Sequence, residues 1–165
     1  MAQETDEVDR IVSAWMTQRP DLDFSPLEVL SRVDRLSRHL DRARRDAFRR
    51  SELEPWEWDV LSALRRAGEP FQLSPKHLLQ QTLVSSGTMT NRIDRLVARR
   101  LVRREADPDD GRSILVTLTE EGRTRVDAAI TRLVDAEALL LNALSRSDRE
   151  RLARLLRKLS LGFDS

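Results

Sequence analysis

The stretch that decides the fold is residues 83–122, LVSSGTMTNRIDRLVARRLVRREADPDDGRSILVTLTEEG. Its first half carries apolar side chains at the i, i+4, i+7 and i+8 spacing of a single helix face. These apolar residues are Met89, Ile93, Leu96 and Val97. The spacing predicts a helix that Ser85 or Ser86 caps, that runs to residue 100, and whose apolar side chains face inward.

The second half of the stretch predicts a β-hairpin. Residues 101–106 and 114–119 are two short segments of strand-forming composition, and the polar turn sequence DPDDG lies between them. A further helix is expected at residues 75–81, because Ser74 is a good capping residue and proline follows it in the first turn. A helix pair followed by a hairpin is the order of a winged helix-turn-helix, which we place at residues 74–119.

Helical patterns continue on both sides of this motif. Apolar periodicity predicts upstream helices at residues 4–19, 25–50 and 55–68, with a short strand at residues 71–73. Downstream, one long helix is expected to start at the Thr119 cap and to include Leu144, and a last helix is expected to start at a Ser147 cap. The predicted fold class is mainly α with a small β-hairpin wing (α+β).

Three segments are expected from this order of elements. Residues 1–54 would be N-terminal helices for dimerisation and an effector pocket, residues 55–119 the DNA-binding winged helix-turn-helix, and residues 120–165 the C-terminal dimerisation helices. The outer helices hold more leucine than one small domain needs, which favours packing between two chains. The alternative is that these leucines pack within their own chain.

Composition narrows the function further. The chain has no cysteine and two histidines, so disulfides, thiolate metal sites and a His-rich metal centre are not expected. The sequence also lacks a Gly-rich phosphate loop, a G-x-S-x-G and an H-E-x-x-H, and we therefore expect no enzyme and no cofactor. No signal peptide or membrane-spanning run is visible, which predicts a soluble cytoplasmic protein.

The predicted second helix of the pair carries candidate DNA-binding residues. Residues 86–105 hold six arginines against Asp94 and Glu105, in a chain whose net charge is only +1. Hydroxyl, amide and guanidinium groups, which read base edges or hold phosphates, lie on the polar face and at the helix start. The candidates are Ser85, Ser86, Thr88, Thr90, Asn91 and Arg95. The alternative is an ordinary solvated polar face.

The tip of the predicted hairpin supplies two more candidates. Arg112 would suit the narrow minor groove, where negative potential is concentrated, and Asp110 could hold its guanidinium in a bidentate pair. The alternative is a surface salt bridge of little energetic value.

These motifs resemble the MarR family, over roughly residues 8–160. The wing pattern D-x-R followed by V-x-L-T-x-x-G is present, and its positions are Asp110, Arg112, Val116, Leu118, Thr119 and Gly122. The resemblance implies a homodimer built through the terminal helices, with double-stranded DNA as its partner. Two recognition helices would enter successive major grooves of a pseudo-palindrome, and repression is the family expectation.

Two subgroups of the family suggest an effector site for a small organic anion. The urate-responsive subgroup is matched at four positions: Trp15 in the first helix, Asp59 in WDVL, Arg66 and Arg92 in NRI. Asp59 and Arg66 are seven residues apart and so return to one helix face. An anion that Arg92 grips would pull the recognition helix away from its DNA geometry.

Residues 19–44 are similar to the trans-aconitate-responsive subgroup, which adds Arg32, Arg35 and His39. Such a cationic cluster favours a tricarboxylate such as trans-aconitate or citrate over urate. Each of these residues also has a plainer interpretation. Trp15 could belong to a dimer core, Asp59 could pair with a nearby arginine, and Arg66 could be an ordinary surface residue. Arg92 could contact a phosphate, and the long helix could present a solvated face. The alternative function is a winged-helix module that binds DNA constitutively or binds protein, without an effector.

Overall fold

The computed structural model describes residues 5–82, 84–108 and 113–163. These residues form seven α-helices and three β-strands: α1 Glu7–Gln18, α2 Ser25–Arg49, α3 Pro55–Arg66, β1 Gln72–Leu73, α4 Pro75–Thr82, α5 Ser86–Ala98, β2 Val102–Ala106, β3 Ile114–Leu118, α6 Glu120–Leu140 and α7 Arg146–Ser160. The predicted fold class is confirmed, since α3 to β3 have the order of a winged helix-turn-helix.

The chain divides into two compact units, with the boundary inside α2 after Arg42. In the first unit, α1 buries Val8 and Val12. Ion pairs also hold α1 to α2, because the Arg32 guanidinium contacts Asp6 at 2.9 Å and Asp9 at 2.7 Å. Asp6 in addition caps α1 by accepting a hydrogen bond from the Asp9 backbone N–H.

The second unit, from Ala43 onward, contains a continuous apolar core. It draws buried side chains from helices α3 to α6, strands β2 and β3, and the last turn of α2. The most deeply buried of them, apart from alanines, are Val60, Leu61, Leu64, Leu78, Met89, Ile93, Leu96, Leu101 and Val116. The apolar face predicted for α5 is confirmed for Met89, Ile93 and Leu96, and Val97 packs against the same core while partly exposed.

The sheet is antiparallel with strand order β1-β3-β2. The β2–β3 register runs from Val102 opposite Leu118 to Ala106 opposite Ile114, as the predicted hairpin requires. Two glycines allow close backbone geometry in the helices next to the sheet. Gly68 follows α3 with a φ of +78°, a conformation that suits a helix C-terminus. A Cβ on Gly122 would lie 2.1 Å from the Leu101 carbonyl oxygen, so only glycine fits there.

The C-terminal helices differ from the sequence prediction in two details. Helix α6 ends at Leu140, and Leu144 lies in the turn that follows rather than in the helix. Helix α7 is capped by Ser145, whose hydroxyl accepts a hydrogen bond from the Asp148 backbone N–H at 3.2 Å. Ser147 was the predicted cap, but it lies inside the first turn, where its own hydroxyl contacts Ser145.

Candidate nucleic-acid interface and effector site

Helix α5 presents the predicted DNA-reading residues on one surface. Its inner side is fixed in the core by Met89, Ile93 and Leu96, each at most 1% exposed. The predicted residues on the other side are all exposed, namely Ser85, Ser86, Thr88, Thr90, Asn91 and Arg95. The burial of one face therefore leaves a continuous polar face available to a partner.

The first turn of α5 orders its own hydroxyl groups. Ser85 is the N-cap, and its Oγ accepts from the Thr88 backbone N–H at 3.3 Å and lies 2.9 Å from Thr88 Oγ1. Thr90 Oγ1 donates to the Ser86 carbonyl at 3.1 Å. These groups surround the positive end of the helix dipole, which favours a phosphate.

Two ion pairs set the orientation of α5. Asp94, midway along the helix, pairs with Arg104 of β2 at 2.6 Å. At the C-terminal end, Arg99 donates to the Glu57 carboxylate and, at 2.8 Å, to the Glu52 carbonyl. Glu57 is only 1% exposed, so breaking its contact with Arg99 would leave a buried carboxylate without its cation.

The base of the wing is described, whereas its predicted DNA contacts are not. Asp110 and Arg112 lie outside the described residues, and their roles remain predictions. At the base, the Asp107 backbone N–H donates to the Ser113 carbonyl at 3.0 Å. Glu105 accepts hydrogen bonds from Arg103 and from Thr117, and these two bonds lower the pKa of the Glu105 carboxyl.

Asp59, Arg66 and Arg92 of the predicted effector site lie together in the second unit. Arg92 Nη1 is buried and has no hydrogen-bond partner among the described residues; Asp59 Oδ2 lies 3.9 Å from it. Arg66 donates to Ser62 Oγ at 3.1 Å. Although 52% of the Asp59 side chain is exposed, burial of the remainder raises the pKa of its carboxyl, and the charges of Arg92 and then Arg66 oppose that rise.

Trp56, at the start of α3, lies next to Arg92 of this cluster. Its ring centroid is 4.6 Å from Arg95 Cζ and 5.9 Å from Arg92 Cζ, so two arginines of α5 approach one indole. Its neighbour Trp58 instead stacks on Phe48, with the ring centroids 4.9 Å apart. The two tryptophans of α3 therefore have different surroundings.

The remaining predicted effector residues lie in the first unit. Arg32 is paired with Asp6 and Asp9, and Arg35 with Glu7 at 2.5 Å. His39 Nδ1 lies 3.1 Å from an Arg42 guanidinium nitrogen, and a cleft lined by Asp6, Arg32, Arg35, Leu36 and His39 runs along α2. Trp15 is 50% exposed and stacks on Phe24 at 6.2 Å. The acids of α1 thus already balance both arginines.

Sequence reasoning missed Trp56, Glu57 and the Asp94–Arg104 pair. The signal for Trp56 was its place three residues before Asp59, on the same face of α3. Nothing in the local pattern indicated Glu57, because a glutamate in the first turn of a helix is ordinarily solvated. Contacts between distant segments decided its burial.

Comparison with known proteins gives one consistent family. Residues 51–113 match the MarR family. The HTH-type transcriptional regulator PecS of Dickeya dadantii is 34% identical over 150 residues, which cover 91% of this chain and 90% of PecS.

Two solved structures are similar along most of the chain. BpsR of Bordetella bronchiseptica, solved to explain how 6-hydroxynicotinic acid regulates its DNA binding, is 30% identical with a TM-score of 0.63, covering 80% of this chain and 92% of BpsR. A mutant MarR from E. coli complexed with operator DNA is 25% identical with a TM-score of 0.66, covering 82% of this chain and 96% of that one.

Among the residues that the structure describes, none of the helices combines the length and the apolar character that crossing a membrane requires.

Proposed function

The chain belongs to the MarR family of DNA-binding transcriptional regulators, and from this premise we propose that it is a homodimeric repressor that a small organic anion releases from a pseudo-palindromic operator. The observation that supports this proposal most directly is the exposed polar face of α5, whose opposite face is buried in the core. Thr88, Asn91 and Arg95 would contact the major groove, while Ser85 and Ser86 would hold a phosphate at the helix start. Arg112, with Asp110 beside it, would enter the minor groove.

The anion site that we propose is the cluster of Asp59, Arg66 and Arg92. A buried guanidinium nitrogen without a hydrogen-bond partner among the described residues is costly, and an anionic ligand would satisfy it. Arg92 belongs to α5, so a ligand that binds it can bias the orientation of the DNA-reading helix. This placement supports a link between ligand and DNA, as the BpsR structure suggests for that relative.

The charges favour a ligand with few negative charges. Asp59 lies beside Arg92 and would repel a tricarboxylate, while Arg32 and Arg35 are compensated by acids of α1. A planar, singly charged acid such as urate or 6-hydroxynicotinic acid therefore fits the Arg92 cluster better than trans-aconitate or citrate. Trp15, Arg32, Arg35 and His39 remain effector residues proposed from the family resemblance alone.

The homodimer is supported by apolar surface on the terminal helices. No residue of α7 is buried in a single chain, and Leu155, Leu156 and Leu159 are 57%, 42% and 46% exposed. Fully burying an exposed leucine contributes about 1.5–3 kcal/mol, and covering the exposed half of each of these side chains would contribute part of that, so the leucine face favours association. A symmetric dimer would place two α5 helices on the two half-sites of a palindrome.

The test is a gel-shift titration of the DNA upstream of the chain's own reading frame, at moderate salt, without ligand and then with urate, 6-hydroxynicotinic acid, trans-aconitate or citrate. We expect a discrete shifted band that competitor DNA does not remove, and its release by at least one monoanion.

The absence of any specific shift would overturn the proposed regulator. A specific shift that none of the four acids reverses would instead favour the alternative of a constitutive DNA-binding module.

A further inference from the structure

Two arginines of α5 and the arginine that caps its C-terminus face the first turn of α3. Arg92, Arg95 and Arg99 follow one another at i, i+3 and i+7, so they lie along one helix side. Arg99 is bound to the buried Glu57, and the other two approach the Trp56 ring. The Arg99–Glu57 contact links the C-terminal end of α5 to the first turn of α3, next to Trp56.

Arg95, like Arg99, is an exposed member of this row. It is predicted to contact DNA, yet no ion pair involving it occurs among the described residues, and the Trp56 ring 4.6 Å away is its described partner. An arginine side chain that explores many rotamers in solvent must be ordered when it binds a phosphate or a base. A flat aromatic face limits those rotamers while leaving the guanidinium edges free to donate hydrogen bonds.

We propose that Trp56 is a positioning residue for DNA binding, which holds the Arg95 guanidinium in its DNA-reading orientation without contacting DNA itself. This proposal rests on the proposed function, because it assigns a role to a neighbour of the reading face. The competing view is that Trp56 only fills space at the rim of the core, against which it packs while partly buried. The two views differ in one respect: only positioning makes the effect of Trp56 depend on Arg95.

The test is a double-mutant cycle on the dissociation constant for a fluorescent duplex carrying the site bound in the upstream gel shift. The proteins are the parent, Trp56→Leu, Arg95→Ala and the double variant, each checked for its circular dichroism melt. We expect Trp56→Leu to weaken binding about two- to fivefold with Arg95 present, and to have no further effect in the Arg95→Ala background. Trp56→Phe should restore most of the parent affinity, because it keeps an aromatic face.

Trp58→Leu is the matched control, since it removes a partly buried indole of the same helix that stacks on Phe48 instead. Its effect on affinity should be the same with and without Arg95. Equal losses from Trp56→Leu in both backgrounds, or no loss in either, would overturn the positioning role while leaving the regulator intact. A parent protein that does not bind the duplex would overturn both.

Discussion

Arg92 belongs both to the proposed DNA-reading helix and to the proposed ligand site. Its backbone belongs to the recognition helix, while its Nη1 is buried beside Asp59 of α3. A surface arginine would not serve this purpose, because water would satisfy its guanidinium and screen a ligand's charge. Burial of Nη1 would strengthen its interaction with the charge of the proposed ligand.

Replacing Arg92 by alanine should therefore blunt the ligand response more than DNA binding. We expect the concentration of urate or 6-hydroxynicotinic acid that releases half of the DNA to rise at least about tenfold, which corresponds to about 1.4 kcal/mol of lost preference. The measurement is fluorescence anisotropy of a bound duplex during ligand titration. Arg146→Ala removes a side chain that is 94% exposed and serves as the control. Release at the parent's ligand concentration would rule out this anion site.

The contribution of Asp59 to the free energy of unfolding should depend on pH in a characteristic way. Burial raises its folded-state pKa above the unfolded value, so between the two pKa values the folded chain binds more protons than the unfolded chain. The contribution of Asp59 to stability must therefore decrease as pH rises through that window. We expect the free energy of unfolding of the parent, minus that of Asp59→Asn, to fall as pH rises through and above the ordinary range of an aspartate pKa in urea titrations.

Asp21→Asn is a control with the opposite sign. The Arg19 side chain lowers the pKa of the Asp21 carboxyl, so its stabilising contribution is present above the unfolded pKa and is lost as pH falls. The free energy of unfolding of the parent, minus that of Asp21→Asn, should therefore rise with pH. A rising difference for Asp59 as well would mean that Arg92 and Arg66 outweigh the burial of this carboxyl.

Among the elements, the approach of α6 to the sheet depends on a single glycine. A Cβ on Gly122 would meet the Leu101 carbonyl oxygen at 2.1 Å and Leu118 Cδ1 at 2.9 Å. The carbonyl cannot easily move, because it also accepts hydrogen bonds from the Thr119 backbone N–H and hydroxyl. The contact thus sets how closely the helix that follows the wing can pack on β2.

We expect Gly122→Ala to lower the free energy of unfolding by about 1–3 kcal/mol through this overpacking. Chemical denaturation followed by circular dichroism measures the change. Gly87→Ala in α5 is the matched control, since a Cβ there meets nothing within 4 Å, and it should be neutral or raise stability by up to about 1 kcal/mol. Equal stability of Gly122→Ala and the parent would show that α6 can shift to admit a methyl group.

At the scale of the whole molecule, the proposed dimer would bring two recognition helices to one operator, and the leucine face of α7 is the feature that we propose joins them. Leu156 and Leu159 contribute nothing to the buried core of a single chain, so charging them should spare the fold. We expect Leu156→Glu/Leu159→Glu to convert a dimer to a monomer in light scattering. Operator affinity should fall by about a hundredfold or more, because a monomer has no second recognition helix tethered to the first.

Arg154→Glu introduces a glutamate on the opposite side of α7 and should leave both the mass and the affinity unchanged. A double variant that remains dimeric would place the interface elsewhere. A monomeric double variant with full operator affinity would contradict the two-half-site mechanism instead.

The sequence by itself determined most of the elements and the face that α5 buries. Periodicity and capping are local properties, so Met89, Ile93 and Leu96 on the inner side of α5 were predictable, as was the hairpin register around a polar turn. Local signals were insufficient at the C-terminal helices, where Leu144 lies outside α6 and two serines lie close together at the start of α7. Ser145 rather than Ser147 caps α7, because the Ser145 hydroxyl is the one that accepts a hydrogen bond from the Asp148 backbone N–H.

Only the tertiary structure decided which charged side chains satisfy one another. Arg32, Arg35 and Arg92 look alike in the sequence, yet acids of α1 balance the first two and Nη1 of the third is buried without a hydrogen-bond partner among the described residues. Likewise, Trp56 and Trp58 lie two residues apart but contact arginines and Phe48 respectively. These differences arise from contacts between segments distant in the chain, and no local pattern encodes them. The winged helix-turn-helix was therefore readable from residues 83–122, whereas the neighbours that control it were not.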